Sequence, residues 1–123
     1  MRIFKTRAFT KLMAKAGITN QAFCKAIQEL KQGLHDGHLG KKVYKKRIAI
    51  SGKGKRAGGR TIIATNLSSK WFFIYGFKKN QATNIDSKEL EALQMLANDL
   101  LELDTKQLKI MIEDKQLEEV NCG

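Results

Sequence analysis

Apolar and polar positions change period several times along the chain, and each change marks an element. Met1–Lys5 suits a short strand. Phe9, Leu12, Met13 and Ala16 then recur at helical spacing, and Gly17 ends that run. A second helix follows at once. Thr19 offers the hydroxyl of an N-cap, Ile18 and Phe23 take the staple positions around it, and Phe23, Ala26, Ile27 and Leu30 line one face up to Gly33. The pair forms a helical hairpin with a very short turn. Leu34–Lys42, with Gly37 and Gly40, reads as loop. Val43–Ile50 alternates with period two, placing Val43, Lys45, Arg47 and Ala49 on one side and Tyr44, Lys46, Ile48 and Ile50 on the other. Ser51–Gly59 reads as a glycine-rich loop, Arg60–Leu67 as a β-branched strand, Ser68-Ser69 as a turn and Trp71–Phe77 as an aromatic central strand. Three strands with short connections predict an antiparallel meander. Asp86 with Glu89, and Asp104 with Gln107, predict capped helices over about 87–103 and 105–115.

Length and composition narrow the possibilities. With 123 residues the chain is expected to be a single domain, 1–123, with one small core. That is too short for a Rossmann domain with a substrate domain, or for a (β/α)8 barrel. An apolar fraction of 42% is that of a globular protein. The longest apolar run, Trp71–Tyr75, falls far short of the roughly 18 residues of a membrane span. No apolar stretch follows Met1-Arg2-Ile3-Phe4-Lys5, so no signal peptide is expected. Cys24 and Cys122 are too few for a disulfide framework, which makes a reducing cytoplasm the expected setting. Cys24 reads as a small packing residue and Cys122 as part of a fraying terminus.

Charge changes the picture most. The chain carries 23 Lys and Arg against 12 Asp and Glu, a net of +11. Residues 1–80 hold 19 of those bases and only two acids, Glu29 and Asp36, whereas residues 81–123 hold 4 bases and 10 acids. The basic two-thirds is expected to meet phosphate. No helix combines a basic face with a strongly apolar one, so nucleic acid is favoured over a membrane.

The densest chemical feature is Gly52-Lys53-Gly54-Lys55-Arg56-Ala57-Gly58-Gly59-Arg60. Glycine lets backbone approach a phosphate and the cations neutralise it. The order is not that of a P-loop, and a strand follows where a P-loop has a helix, which excludes a nucleoside triphosphate site of that kind. Lys45 and Arg47 share a strand face and extend the basic loop toward a groove. Lys78-Lys79 are expected to join the patch if the strands pair in order. Tyr75, near a strand end, is the aromatic expected to be part-exposed and able to stack a base, while its aromatic neighbours belong to the core. His35 and His38 have no Cys or Glu at metal-ligand spacing and read as loop histidines without a catalytic role, so no metal or other cofactor is expected.

Taken together, Val43–Ile50, the basic loop, Gly58-Gly59-Arg60-Thr61-Ile62-Ile63, Phe72-Phe73-Ile74-Tyr75-Gly76-Phe77-Lys78-Lys79-Asn80 and Asn84–Leu93 resemble the RelE/HigB branch of the RelE/ParE toxin superfamily. The resemblance spans nearly the whole chain. It implies an α+β fold with a small antiparallel sheet, an N-terminal helical hairpin and closing C-terminal helices. It also implies a metal-independent endoribonuclease that cuts mRNA in the ribosomal A site, inhibits translation and is silenced by a cognate antitoxin, expected to be a helix-turn-helix DNA-binding protein. A gyrase-targeting relative of ParE type, or a non-catalytic RNA-binding module, are the alternatives. Arg60 matches the family's arginine in G-x-R and is the candidate for charge stabilisation, with Lys79 at the cationic position after the aromatic strand. Lys53, Lys55 and Lys45 are candidates for proton transfer. Lys45, Arg47, Arg56, Lys78 and Tyr75 are candidates for RNA binding. Two departures stand out: residues 80–85 contain neither the tyrosine nor the histidine that some members place there, and Lys79 stands where arginine is common.

Overall fold

The computed structural model describes residues 1–50, 54–78 and 85–123, with backbone alone at 54–57. It is an α+β fold built on a six-stranded sheet ordered β2-β3-β4-β5-β1-β6. The strands are β1 (Arg2–Thr6), β2 (Gly37–His38), β3 (Val43–Ile50), β4 (Gly54–Thr65), β5 (Lys70–Lys78) and β6 (Leu117–Val120); the helices are α1 (Arg7–Leu12), α2 (Asn20–Lys31), α3 (Ser87–Leu101) and α4 (Thr105–Glu113). The predicted meander is β3-β4-β5, and β5 is an interior strand as expected. β1 runs parallel to β5, and every other pairing is antiparallel.

Caps fix the helices where the sequence placed them. The Thr19 side chain accepts from the Ala22 N–H at 3.1 Å, and Asp86 accepts from Glu89 N–H at 2.8 Å. Asp104 and Gln107 make both bonds of a capping box. Phe23, Ala26, Ile27 and Leu30 are all buried, as their spacing implied.

The sheet has a core on each face. α1 and α2 cover one face, where Phe9, Phe23 and Phe73 meet with ring centroids 4.9–5.8 Å apart beside Ile48, Ile63 and Trp71. α3 and α4 cover part of the other, over Phe4, Val43, Ala64, Phe72 and Ile74. Each buried aromatic removes some 150–250 Å² from water.

Four expectations need correction. The first helix stops at Leu12, which is 51% exposed, because the chain leaves helical geometry at Met13 to drop that side chain onto the sheet. Leu34–Lys42 contains the short strand β2, whose Gly37 and His38 pair with Lys45 and Tyr44. Much of the glycine-rich stretch is strand, since β4 begins at Gly54 and pairs with β3 from Ile50↔Gly54 onward. The cysteines are not independent: Cys24 and Cys122 form a disulfide with Cα atoms 5.8 Å apart. The terminus is held because Leu117–Val120 adds to the sheet beside β1, which brings Cys122 to α2.

Candidate nucleic-acid interface

Strand register decides which cations meet. Across β3, β4 and β5, Val43, Ala64 and Phe72 form a row beneath α3. Two residues along, Lys45, Ile62 and Tyr75 form the next row, and beyond it stand Arg47, Arg60 and Phe77. An irregularity between Ile62 and Ile63 places Ile74 and Tyr75 against the same cluster, keeping Tyr75 on this face. Ile62 and Phe77 are buried, Lys45, Arg60 and Tyr75 half-buried, and Arg47 exposed. The result is a basic patch on an apolar floor, with the Tyr75 and Phe77 rings 6.2 Å apart along one side.

Arg47 and Arg60 lie directly opposite each other, with adjacent strands about 4.8 Å apart. Like charges in that position repel and disfavour the pairing. An anion set between the two guanidinium groups reverses the sign of that interaction. Asp36 relieves part of the repulsion: one carboxylate oxygen accepts from the Arg47 backbone N–H at 2.7 Å, and the other lies 3.6 Å from Arg47 Nε. Arg60 Nη1 donates to the Gly58 carbonyl at 3.3 Å, a neutral partner, and among the described residues no carboxylate pairs with it.

The other predicted residues fall differently. Lys78 is exposed and stands in register with Gly59, itself opposite Ile48, so by alternation it belongs to the row of the hairpin face. Only the backbone of Lys55 and Arg56 is described, within β4. Lys53 and Lys79 lie outside the described residues. The His38 ring stacks on Tyr44 at 4.4 Å, and His35 Nδ1 accepts from the Gly37 N–H. Among the described residues no group of His, Cys, Asp or Glu is placed to hold a metal ion, and no helix is long and apolar enough to cross a membrane.

Two features of the patch escaped sequence reasoning. Asp36 was overlooked between the two histidines, although being one of only two acids in residues 1–80 was a signal. Gly59 makes room for Met13 on the far face: a Cβ there would meet Met13 Cε at 2.8 Å. That steric need is separate from any approach of backbone to phosphate.

The fold and the patch thus define a small basic α+β protein that presents a cationic sheet face edged by aromatic rings. A family model described as the RelE toxin of the RelE / RelB toxin-antitoxin system matches residues 1–120, and the chain belongs to that family. It is a toxin of a toxin–antitoxin system, and its family implies an antitoxin partner. No curated protein sequence matches the chain.

Proposed function

We propose that the chain is a ribosome-dependent, metal-independent endoribonuclease that cleaves mRNA in the A site and so inhibits translation. The observation that carries this reading is the Arg47–Arg60 pair, opposed on an open sheet face beside Lys45 and Tyr75. The pair supplies two planar donor forks where a scissile phosphate needs them.

In the proposed reaction the ribose 2′-oxygen attacks the adjacent phosphorus. The O2′–P bond forms, the P–O5′ bond breaks, and a 2′,3′-cyclic phosphate remains. The 2′-hydroxyl proton goes to a base, and the departing 5′-oxygen takes a proton. Charge builds on the phosphoryl oxygens in the transition state, where fixed cations lower the barrier. Arg60 is assigned that role, with Lys79 adding charge after the aromatic strand. Lys45, Lys53 and Lys55 remain the candidates for proton transfer, each an amine that can give or take a proton. Arg47 and Arg56 bind phosphates and Tyr75 offers a ring to a base, while Lys78, on the row of the hairpin face, would reach phosphates only beyond this patch. The proposed partner that silences the chain is a helix-turn-helix antitoxin, and the proposed setting is the cytoplasm.

The test is to add the purified chain to ribosomes programmed with mRNA and map new 5′ ends. New ends in the A-site codon, lost in Arg60→Ala, support the reading. RNA binding without new ends favours a non-catalytic module, for which the lack of Tyr and His in residues 80–85 is the specific argument. Intact translation together with damaged DNA would point to gyrase instead.

A further inference from the structure

The last strand of the sheet is held by its ladder to β1 and, at its far end, also by a covalent bond. β6 has four residues and pairs only with β1, from Thr6↔Leu117 to Ile3↔Val120. Its N-terminal end is secured by buried Leu117, packed in the core under α4, and by the Arg7 N–H at the start of α1, which donates to the Gln116 carbonyl at 3.0 Å. Its C-terminal end is secured less well. Buried Val120 and two ion pairs hold it: Arg2–Glu119 at 2.9 Å, exposed on both sides, and Lys5–Glu118 at 3.4 Å, whose glutamate is exposed and whose lysine is half-buried over the Phe23 ring; pairs open to solvent contribute little. A further tie is the Cys24–Cys122 bond, which joins α2 to a residue 98 positions later, just past β6. Cys24 is half-buried against the core, whereas Cys122 is exposed on an open groove of about 660 Å³ with Met1, Ile3 and Val120.

We propose that Cys24–Cys122 is a redox latch on the sheet edge. When oxidised it keeps the end of β6 on β1. A dithiol reductant reaches it through the groove at Cys122, transfers two electrons with two protons, and leaves two thiols and its own disulfide. The segment from Glu118 onward then opens while Leu117 stays anchored. Opening uncovers the outer backbone groups of β1 and takes the two glutamates away from Arg2 and Lys5. β1 thereby becomes an open sheet edge that the oxidised form keeps paired.

Hydrogen exchange on the full chain, read by mass spectrometry, tests this. One sample is oxidised with diamide and the other reduced with dithiothreitol. The oxidised sample should be lighter by the two hydrogens of the lost thiols. Reduction should speed exchange at the end of β6 and along β1 by at least about 30-fold, the lower end of what a disulfide contributes. β3, β4 and β5 should keep their protection. Cys122→Ser, an exposed substitution that the fold tolerates, should give the reduced pattern without reductant and ignore its addition. Equal protection of β6 in both samples overturns the latch. So does a loss spread evenly over all strands, or a diamide-treated chain whose two thiols remain unpaired.

Discussion

Lys46 and Arg47 are adjacent on β3 and have opposite fates. Lys46 points under the hairpin, where its side chain is 5% exposed and its ammonium lies 3.0 Å from Glu29 of α2. Arg47 points to the open face, opposite Arg60. The hairpin face admits a cation only with its counter-ion, because an unpaired charge there would lose hydration without compensation. The open face tolerates opposed cations because water and mobile ions screen them. The two acids of the basic region reflect this split. Glu29 compensates a buried lysine, while Asp36 sits at the rim and neutralises Arg47 only in part. High positive charge is therefore two things in this protein, a solved packing problem on one face and opposed cations, the proposed RNA-binding surface, on the other.

Substitutions can separate the two faces. The largest expected effect is on the open one. Arg60→Ala should lower mRNA cleavage on ribosomes by about 100- to 1000-fold, or about 3–4 kcal/mol of barrier, with an unchanged urea midpoint. Arg60→Lys should recover only part, since a point charge cannot replace the fork. Wild-type cleavage by the alanine variant would remove Arg60 from the mechanism.

Glu29→Ala should do the reverse. Leaving Lys46 buried without its counter-ion is expected to cost about 3 kcal/mol of stability in urea denaturation, with RNA affinity retained in the fraction that stays folded. A stability equal to wild type would show that Lys46 finds other compensation.

A smaller loss is expected at Gly76, whose added Cβ would lie 2.8 Å from Met13 Cγ and 3.0 Å from Phe9 Cε2. Gly76→Ala should destabilise by roughly 1–3 kcal/mol, and Met13→Ala in the same chain should return part of it. Gly59→Ala meets only the mobile end of Met13 and should cost less. The idea of a shared socket fails if the two glycine variants respond alike.

On the open face, Arg47→Ala should reduce the slope of log K against log salt for single-stranded RNA by about 0.7, the share of one phosphate contact. An unchanged slope would mean that Asp36 keeps Arg47 from the RNA. The smallest effect is expected at the far edge of the sheet. The hydrogen bond from Arg2 holds the Glu119 carboxyl below its ordinary value of 4.5. A depressed folded-state pKa stabilises the fold above the unfolded value, and that stabilisation is lost as pH falls through the folded one. Because the pair is exposed, the contribution should stay below about 1 kcal/mol. Thermal midpoints of wild type and Glu119→Gln should differ slightly at neutral pH and converge in acid. A gap that widens in acid would contradict the sign.

Much of this was legible in the residues. Thr19, Asp86 and Asp104 cap their helices because a capping hydrogen bond closes within three residues and depends on nothing distant. The two sides of β3 separated as alternation required, so Lys45 and Arg47 could be assigned to one face before any partner strand was known. Their opposition to Ile62 and Arg60 was less accessible, because register depends on how β3 and β4 meet across their connection. The same dependence moves Lys78 to the row of the hairpin face, although it adjoins the patch in sequence.

What the chain determines by itself is local: period, caps, and a basic region with two acids in it. Which face helices cover is not local, since it requires α2 to seat on β3 and α3 on β4 across long stretches of chain. Met13 leaves its helix for a socket made by Gly59 and Gly76, which no pattern around position 13 announces. Cys24 and Cys122 stand 98 positions apart with no hint of contact in the sequence, and the bond forms only because β6 adds to β1 after α4 has turned the chain back. Such features arise from tertiary packing because they are energies of proximity, and proximity between distant residues exists only once the sheet has assembled its order.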